Sequence, residues 1–342
     1  MLTIFGLSLT ILLGLFISLF LVPKMYSLER IGVSYVLGLG LMTFIMFIEF
    51  LFGVNFSLNS SLVTILILVV ILFFIVRKKA LQFLIDIRSD IHSIRLNKIE
   101  KVILIILGFL FVFSLVCTLY WPVGAWDSLV LYDWRAKLFV TNGNMDEGIS
   151  RGYFFGVPLL TSLAHTWVYF LGSKQPEFIY TLFFISFVLM YYGSLREFSK
   201  RLLSLFTVLI LSTTPDVLIH STFSYTNFPF TVYFVMSTIY MYIWMVKEKR
   251  GYLVLSAILL GLSAWTRSSE PFWIINVIVL IIFSLYKRKY FSPIVFTGLF
   301  FSLRQPWVIF ENSKLEYSAT VSSKISEGIW AIINNINFEL IE

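Results

Sequence analysis

The chain is poor in charge. Asp, Glu, Lys and Arg make up 13 % of its 342 residues, against roughly 25 % in an ordinary soluble domain. That shortage leaves too little polar surface to cover a globule of this size, so a soluble fold is excluded. Sulfur and metal chemistry are also sparse. The single cysteine, Cys117, sits in an apolar run, so it forms no internal disulfide and no zinc spacing exists. His92, His165 and His220 are scattered, with no HExxH pair, and His165 and His220 read as interfacial or packing residues. No metal and no cofactor is indicated. No basic stretch precedes the first apolar run. A cleaved signal peptide needs one, so that run reads as a retained span.

What is abundant is apolar: hydrophobic residues reach 58 %, with 36 Phe. Runs approaching or exceeding about 18 residues, the length that crosses the hydrocarbon, recur along the chain. They predict an all-α, polytopic membrane protein with about ten transmembrane helices, at about 3–22, 31–55, 61–77, 102–120, 177–194, 202–219, 227–246, 252–266, 271–286 and 291–310. The predicted organisation is a three-span region over 1–79, a linker helix over 80–101, a transmembrane core over 102–310 with a long loop at 121–176, and a tail over 311–342. In the linker, Leu84, Ile87, Ile91 and Ile94 recur at helical spacing among Asp86, Arg88, Asp90, Arg95 and Lys98. That pattern predicts an amphipathic helix on the cytoplasmic surface of the membrane. Acidic residues interrupt the basic ones there, which argues against a nucleic-acid partner.

Basic clusters beside spans mark the cytoplasmic side. Those at Arg77, Lys78 and Lys79, at Arg196, Lys200 and Arg201, at 247–250 and at Lys287, Arg288 and Lys289, with a weaker one at Lys24 and Arg30, all fit one side under this topology. The apolar segment 153–171 would break that agreement if it crossed. It is therefore expected to be a partly embedded interfacial helix held by Tyr153, Trp167 and Tyr169.

The same topology gathers the unusual polar residues on the opposite, outward side. Asp127 follows Trp126 at the start of a helix-like run that Asn142 and Gly143 should end. Asp127 is either an N-cap or a carboxylate able to take a proton from an acceptor hydroxyl, and Trp121 and Trp126 suit stacking on a sugar or packing on headgroups. Asp133 and Lys137, four apart, share a helix face. Arg135 points elsewhere, and with Lys137 it either meets an anionic headgroup or snorkels. Arg267 and Glu270 form a local ion pair or a plain turn, or Arg267 binds a phosphate. Asn227 begins or caps a span. Arg304 and Glu49 are ionisable residues in apolar stretches, a functional signal by default.

Most of these residues lie in four stretches: GAWDSLVLYDWRAKLF at 124–139, SYTNFPF at 224–230, GLSAWTRSSEP at 261–271 and RQPW at 304–307. Together, over residues 102–307, the chain resembles the GT-C superfamily of polyprenyl-phosphate-sugar-dependent glycosyltransferases, in its protein-mannosyltransferase and aminoarabinose-transferase-like branch. The resemblance implies a GT-C-like fold and makes Asp127 the catalytic base. Trp126, Asp133, Arg135, Lys137, Asn227, Arg267, Glu270 and Arg304 then become substrate-binding residues. Relatives often carry Asp where this chain has Asn227. Thr266 and Arg267 match a Thr-Lys-x-Glu-Gly pattern with Arg for Lys, with Glu270 shifted by one position and Pro271 in place of Gly. Arg304 resembles the family's Arg before Pro-Trp, near the donor phosphate. Such enzymes usually have more spans and sometimes an outward C-terminal domain, so the resemblance implies a short or truncated form.

The implied reaction is inverting transfer of a sugar from a lipid-linked donor in the bilayer to a glycan, lipid or protein acceptor at the extracytoplasmic surface of the cell membrane. A flippase or transporter of lipid-linked sugars, and a non-catalytic scaffold derived from such an enzyme, are the alternatives. Transporter sites tend to lie near the bilayer midplane, whereas here the polar residues gather at one surface.

Overall fold

The computed structural model describes residues 1–93, 95–146, 157–268 and 270–314. Among these the secondary structure is entirely helical: α1 Leu2–Leu21, α2 Ser27–Leu51, α3 Leu58–Ser93, α4 Lys98–Tyr120, a π-helical stretch Ser128–Asp133, α5 Trp134–Asn142, α6 Leu160–Phe170, α7 Phe178–Arg196, α8 Arg201–Thr213, α9 Pro215–His220, α10 Asn227–Lys247, α11 Arg250–Thr266, α12 Glu270–Tyr286 and α13 Phe291–Lys314. Seven of them, α1, α2, α3, α4, α7, α10 and α13, are long and apolar enough to cross a membrane, so the chain is a multi-pass membrane protein. The spans expected at 202–219, 252–266 and 271–286 are shorter apolar helices. The first of these is cut because Pro215 pushes Thr214 into extended backbone, ψ 122°.

Packing separates core from lipid-facing helices. α2 is buried over most of its length and packs against α1, α3, α6, α7 and α11. In contrast, α3 and α4 leave Ile67, Phe74, Ile105, Phe109 and Val116 exposed, the apolar surface a bilayer covers. At the α1–α2 crossing the backbones nearly touch: a Cβ added at Gly14 would stand 2.0 Å from the Ser34 carbonyl oxygen, and one at Gly38 2.0 Å from that of Thr10. Small residues permit such approach between membrane helices. Replacing either glycine with Val is expected to cost at least the roughly 1–3 kcal/mol of an overpacked core, read as a lower thermal midpoint of the detergent-purified protein.

Three expectations change here. Residues 80–93 form no separate linker helix but continue α3, whose 36 residues run about 54 Å, well beyond a hydrocarbon core of about 30 Å. The packed face of that extension holds Phe83 and half-buried Ile87, while Leu84 is exposed; the side chains of Ile91 and Ile94 lie outside the described residues. The segment 153–171 yields only the 11-residue α6, about 16 Å long and too short to cross. Trp167 is fully buried in the bundle rather than interfacial, and Tyr153 lies outside the described residues. Finally, Arg30 is no surface charge. It is buried, and its Nη2 donates to the carbonyls of Val22 and Pro23 at 2.7 and 2.9 Å. It thereby satisfies oxygens that the end of α1 leaves without helical partners.

Ion pairs tie several basic clusters to one end of the bundle. Glu197 after α7 meets Lys247 and Lys249 at 2.5 and 3.2 Å, Glu248 meets Lys289 at 2.7 Å, and Arg201 holds Glu100 at 2.7 Å. Glu100 also closes a capping box with Asn97 at the start of α4. The polar residues of 121–146 and the turns before α10 and α12 lie at the other end.

Candidate functional site

The backbone after α4 becomes helical at Trp126, and Leu129 N–H already bonds the Ala125 carbonyl at 3.0 Å. Asp127 is therefore inside the helical turn, with φ −62° and ψ −30°, and its side chain makes no capping bond. The capping account of Asp127 falls away. Its carboxylate is exposed and has no hydrogen-bond or ion-pair partner among the described residues. Trp126 beside it is 74 % exposed. The next six residues are π-helical, a local departure common at functional sites. The run closes as expected: Gly143 takes the left-handed conformation, φ 71°, and its N–H returns to the Phe139 carbonyl.

Six residues further on, Asp133 faces the opposite environment. It is buried, and three donors converge on it. Lys137 Nζ lies 2.7 Å from Oδ2, while His165 Nδ1, at 3.2 Å, and the Tyr169 hydroxyl share Oδ1. An ionised carboxylate only accepts, so His165 Nδ1 carries a proton, and its Nε2 lies 3.1 Å from the Tyr180 hydroxyl. Burial pushes the Asp133 carboxyl up, but the bond and charge of His165, followed by Lys137 and Tyr169, outweigh it and hold the group at about 2. The predicted Asp133–Lys137 pair is present, with far more attached to it than helix spacing shows. Asp127 and Asp133 do not share a face.

Arg135 is fully buried, as a side chain pointing away from Asp133 and Lys137 would be. Its Nη1 donates to the Val157 carbonyl at 3.1 Å, so it meets no headgroup, whereas Lys137 remains largely exposed.

Tyr132 joins the first turn to the rest of this end. Its hydroxyl lies 3.2 Å from Thr226 Oγ1. Burial raises the phenol above its ordinary value, Asp127 raises it further, and the Thr226 bond, Arg135 and Arg267 lower it, so all three charges act on one hydroxyl. Asn227, next to Thr226, is the first residue of α10 and caps nothing; its Oδ1 accepts from Arg267 Nη1. Of the predicted residues, Asn227 and Arg267 are thus brought into contact, and Asp127 and Arg135 act with Arg267 on the same tyrosine.

The remaining two form a separate group. Glu270 does not pair with Arg267; its Oε1 accepts from Arg304 Nη2 at 2.8 Å. The Arg304 guanidinium also sits 5.3 Å from the Trp273 ring centroid, at a small cavity of about 110 Å³ whose walls include Trp307 and Glu311. Glu270 opens α12, where a carboxylate suits the positive end of the helix. Arg304 therefore lies near one end of the bundle with its charge matched. Glu49, which had no evident partner, accepts from Thr64 of α3.

Sequence spacing missed Tyr132, Thr226, Tyr169, Tyr180 and Glu177. Glu177 is buried, accepts from Ser224 Oγ at 2.7 Å, and is raised by that burial. His165 was legible as an interfacial or packing residue but not as a partner of Asp133. Nothing local signals these roles, because each partner comes from a distant part of the chain. No protein-family model matches this chain, and no curated protein or solved structure matches it.

Proposed function

We propose that this chain is an inverting glycosyltransferase with a GT-C-like arrangement of about ten spans, moving a sugar from a polyprenyl phosphate to an acceptor hydroxyl or amine at the extracytoplasmic face. The observation that carries the proposal is the exposed carboxylate of Asp127, without a partner among the described residues, whose charge acts on the same tyrosine as that of Arg267. In this reading Asp127 takes the acceptor's proton as the acceptor oxygen or nitrogen attacks C1 of the sugar. The C1–O bond to the phosphate breaks, and the lipid phosphate leaves with the electron pair. Arg267 offers its charge to that phosphate. Its partner Asn227 is neutral, so it orients the guanidinium without cancelling it, as Asp would. Trp126 supplies an apolar face for the sugar ring. Arg304, already matched by Glu270, orders the neighbouring α12–α13 corner instead of holding the phosphate.

Purified chain supplied with a radiolabelled polyprenyl-phosphate sugar is expected to release lipid phosphate and label an added membrane-extract acceptor. No turnover of any such donor by folded protein would sink the reading. Arg267→Gln is expected to raise the donor KM about tenfold or more, the scale of one lost charge-assisted bond at about 1.5–3 kcal/mol. An unchanged KM would remove Arg267 from the phosphate.

A further inference from the structure

At the basic end of the bundle, away from the proposed active site, a cavity of about 780 Å³ opens between the start of α2, the end of α3, α4, α7 and α8. Its volume is that of a small-molecule site. Leu104, Leu107, Phe111, Val188, Leu205 and Val208 make its walls apolar. On α4 the lining runs from Glu100 to Phe111, about 16 Å along the axis. That is close to half of a hydrocarbon core of about 30 Å, the depth of one leaflet. All its charged lining residues lie at one end. Glu100 is already held by Arg201 through two bonds, at 2.7 and 2.8 Å. Asp90 accepts from Ser27 Oγ at 2.6 Å. Arg196 and Lys200 are different, for neither has a carboxylate partner among the described residues. Arg196 Nη1 donates to the Ser199 carbonyl, and its Nε is buried with no acceptor.

We infer that this groove binds one glycerophospholipid, with an acyl chain along α4 and the phosphate on Arg196 and Lys200. An apolar trough one leaflet deep with unmatched cations at its mouth has the polarity of such a lipid. The phosphate supplies the counter-charge that Arg196 and Lys200 lack among the described residues, and a fork of guanidinium donors suits its oxygens. Gly108 lines the trough, and a Cβ added there meets nothing within 4 Å, so this stretch of α4 faces open space. The inference does not depend on the chain being a transferase.

The test is lipid binding by delipidated, detergent-purified protein, followed by native mass spectrometry during titration with dioleoyl phosphatidylglycerol or with dioleoylglycerol, which has the same chains and no phosphate. One phosphatidylglycerol is expected to bind, at least tenfold more tightly than dioleoylglycerol. Arg196→Gln with Lys200→Gln should remove that preference. Gly108→Leu should weaken both lipids about tenfold by filling the trough; this variant is expected to keep its fold, because glycine is a poorer helix former than leucine and a Cβ at this position meets nothing within 4 Å. Lys287→Gln with Lys289→Gln, at another basic cluster, should change nothing. Equal binding of the two lipids, wild-type binding by Gly108→Leu or by the Arg196/Lys200 variant, or an equal loss in the Lys287/Lys289 variant would each overturn the assignment.

Discussion

Asp127→Asn is expected to cut sugar transfer by about 10²–10⁴-fold, the range of a lost general base, with thermal midpoint and membrane abundance unchanged. Asn keeps the shape of the side chain and caps a helix as well as Asp, and the structure shows no capping bond to lose. Asp127 is also exposed and without a partner among the described residues, so removing its charge strips nothing from the fold. The measurement is turnover of labelled donor per mole of purified protein, with the unfolding midpoint read on the same preparation. Wild-type turnover would remove Asp127 from the chemistry. A shifted midpoint would show that the carboxylate supports structure.

Asp133→Ala should do the reverse. Three donors from α5 and α6 point at this buried carboxylate, and breaking a buried charged cluster by removing one partner costs about 3–5 kcal/mol. The purified variant is expected to unfold at a clearly lower temperature, whether or not any donor is present. The pH dependence has a definite sign. The folded-state carboxyl sits at about 2, below its ordinary 3.8, so the stabilisation it contributes is complete above about pH 4–5 and fades as pH falls through 2. The difference between wild type and Asp133→Ala should therefore shrink across that acid window and stay constant above it. An unchanged midpoint at neutral pH would mean that the donors find other partners, and Asp133 would no longer hold α5 against α6.

These two carboxylates show what spacing along a helix can reveal. Both lie in one short stretch, YDWR with its preceding turn, where the sequence reads Asp127 as a cap or a base and Asp133 as the helix partner of Lys137. The i,i+4 geometry of Asp133 and Lys137 was legible because helix periodicity alone brings those side chains together. The left-handed turn at Gly143 was legible because glycine meets no Cβ penalty there. That Asp133 is buried was not legible, since His165 and Tyr169 stand 32 and 36 residues away and reach it only when α6 packs beside α5. The same holds for Arg304. Its partner Glu270 is 34 residues away, whereas the local reading pointed Glu270 towards Arg267.

The sequence by itself determined that the chain is helical and membrane-embedded, and where most of its long helices begin and end. Hydrophobic run length and the scarcity of charge act locally, because each span must satisfy its own backbone within the bilayer. Tertiary structure alone decided which polar groups are matched and which stay open. It buried Asp133, matched Arg304 with Glu270, turned Arg30 onto the end of α1, and left Asp127, Arg196 and Lys200 without carboxylate or donor partners among the described residues. Whether an ionisable side chain has a partner depends on the neighbouring helices, and a single helix's periodicity carries no record of them.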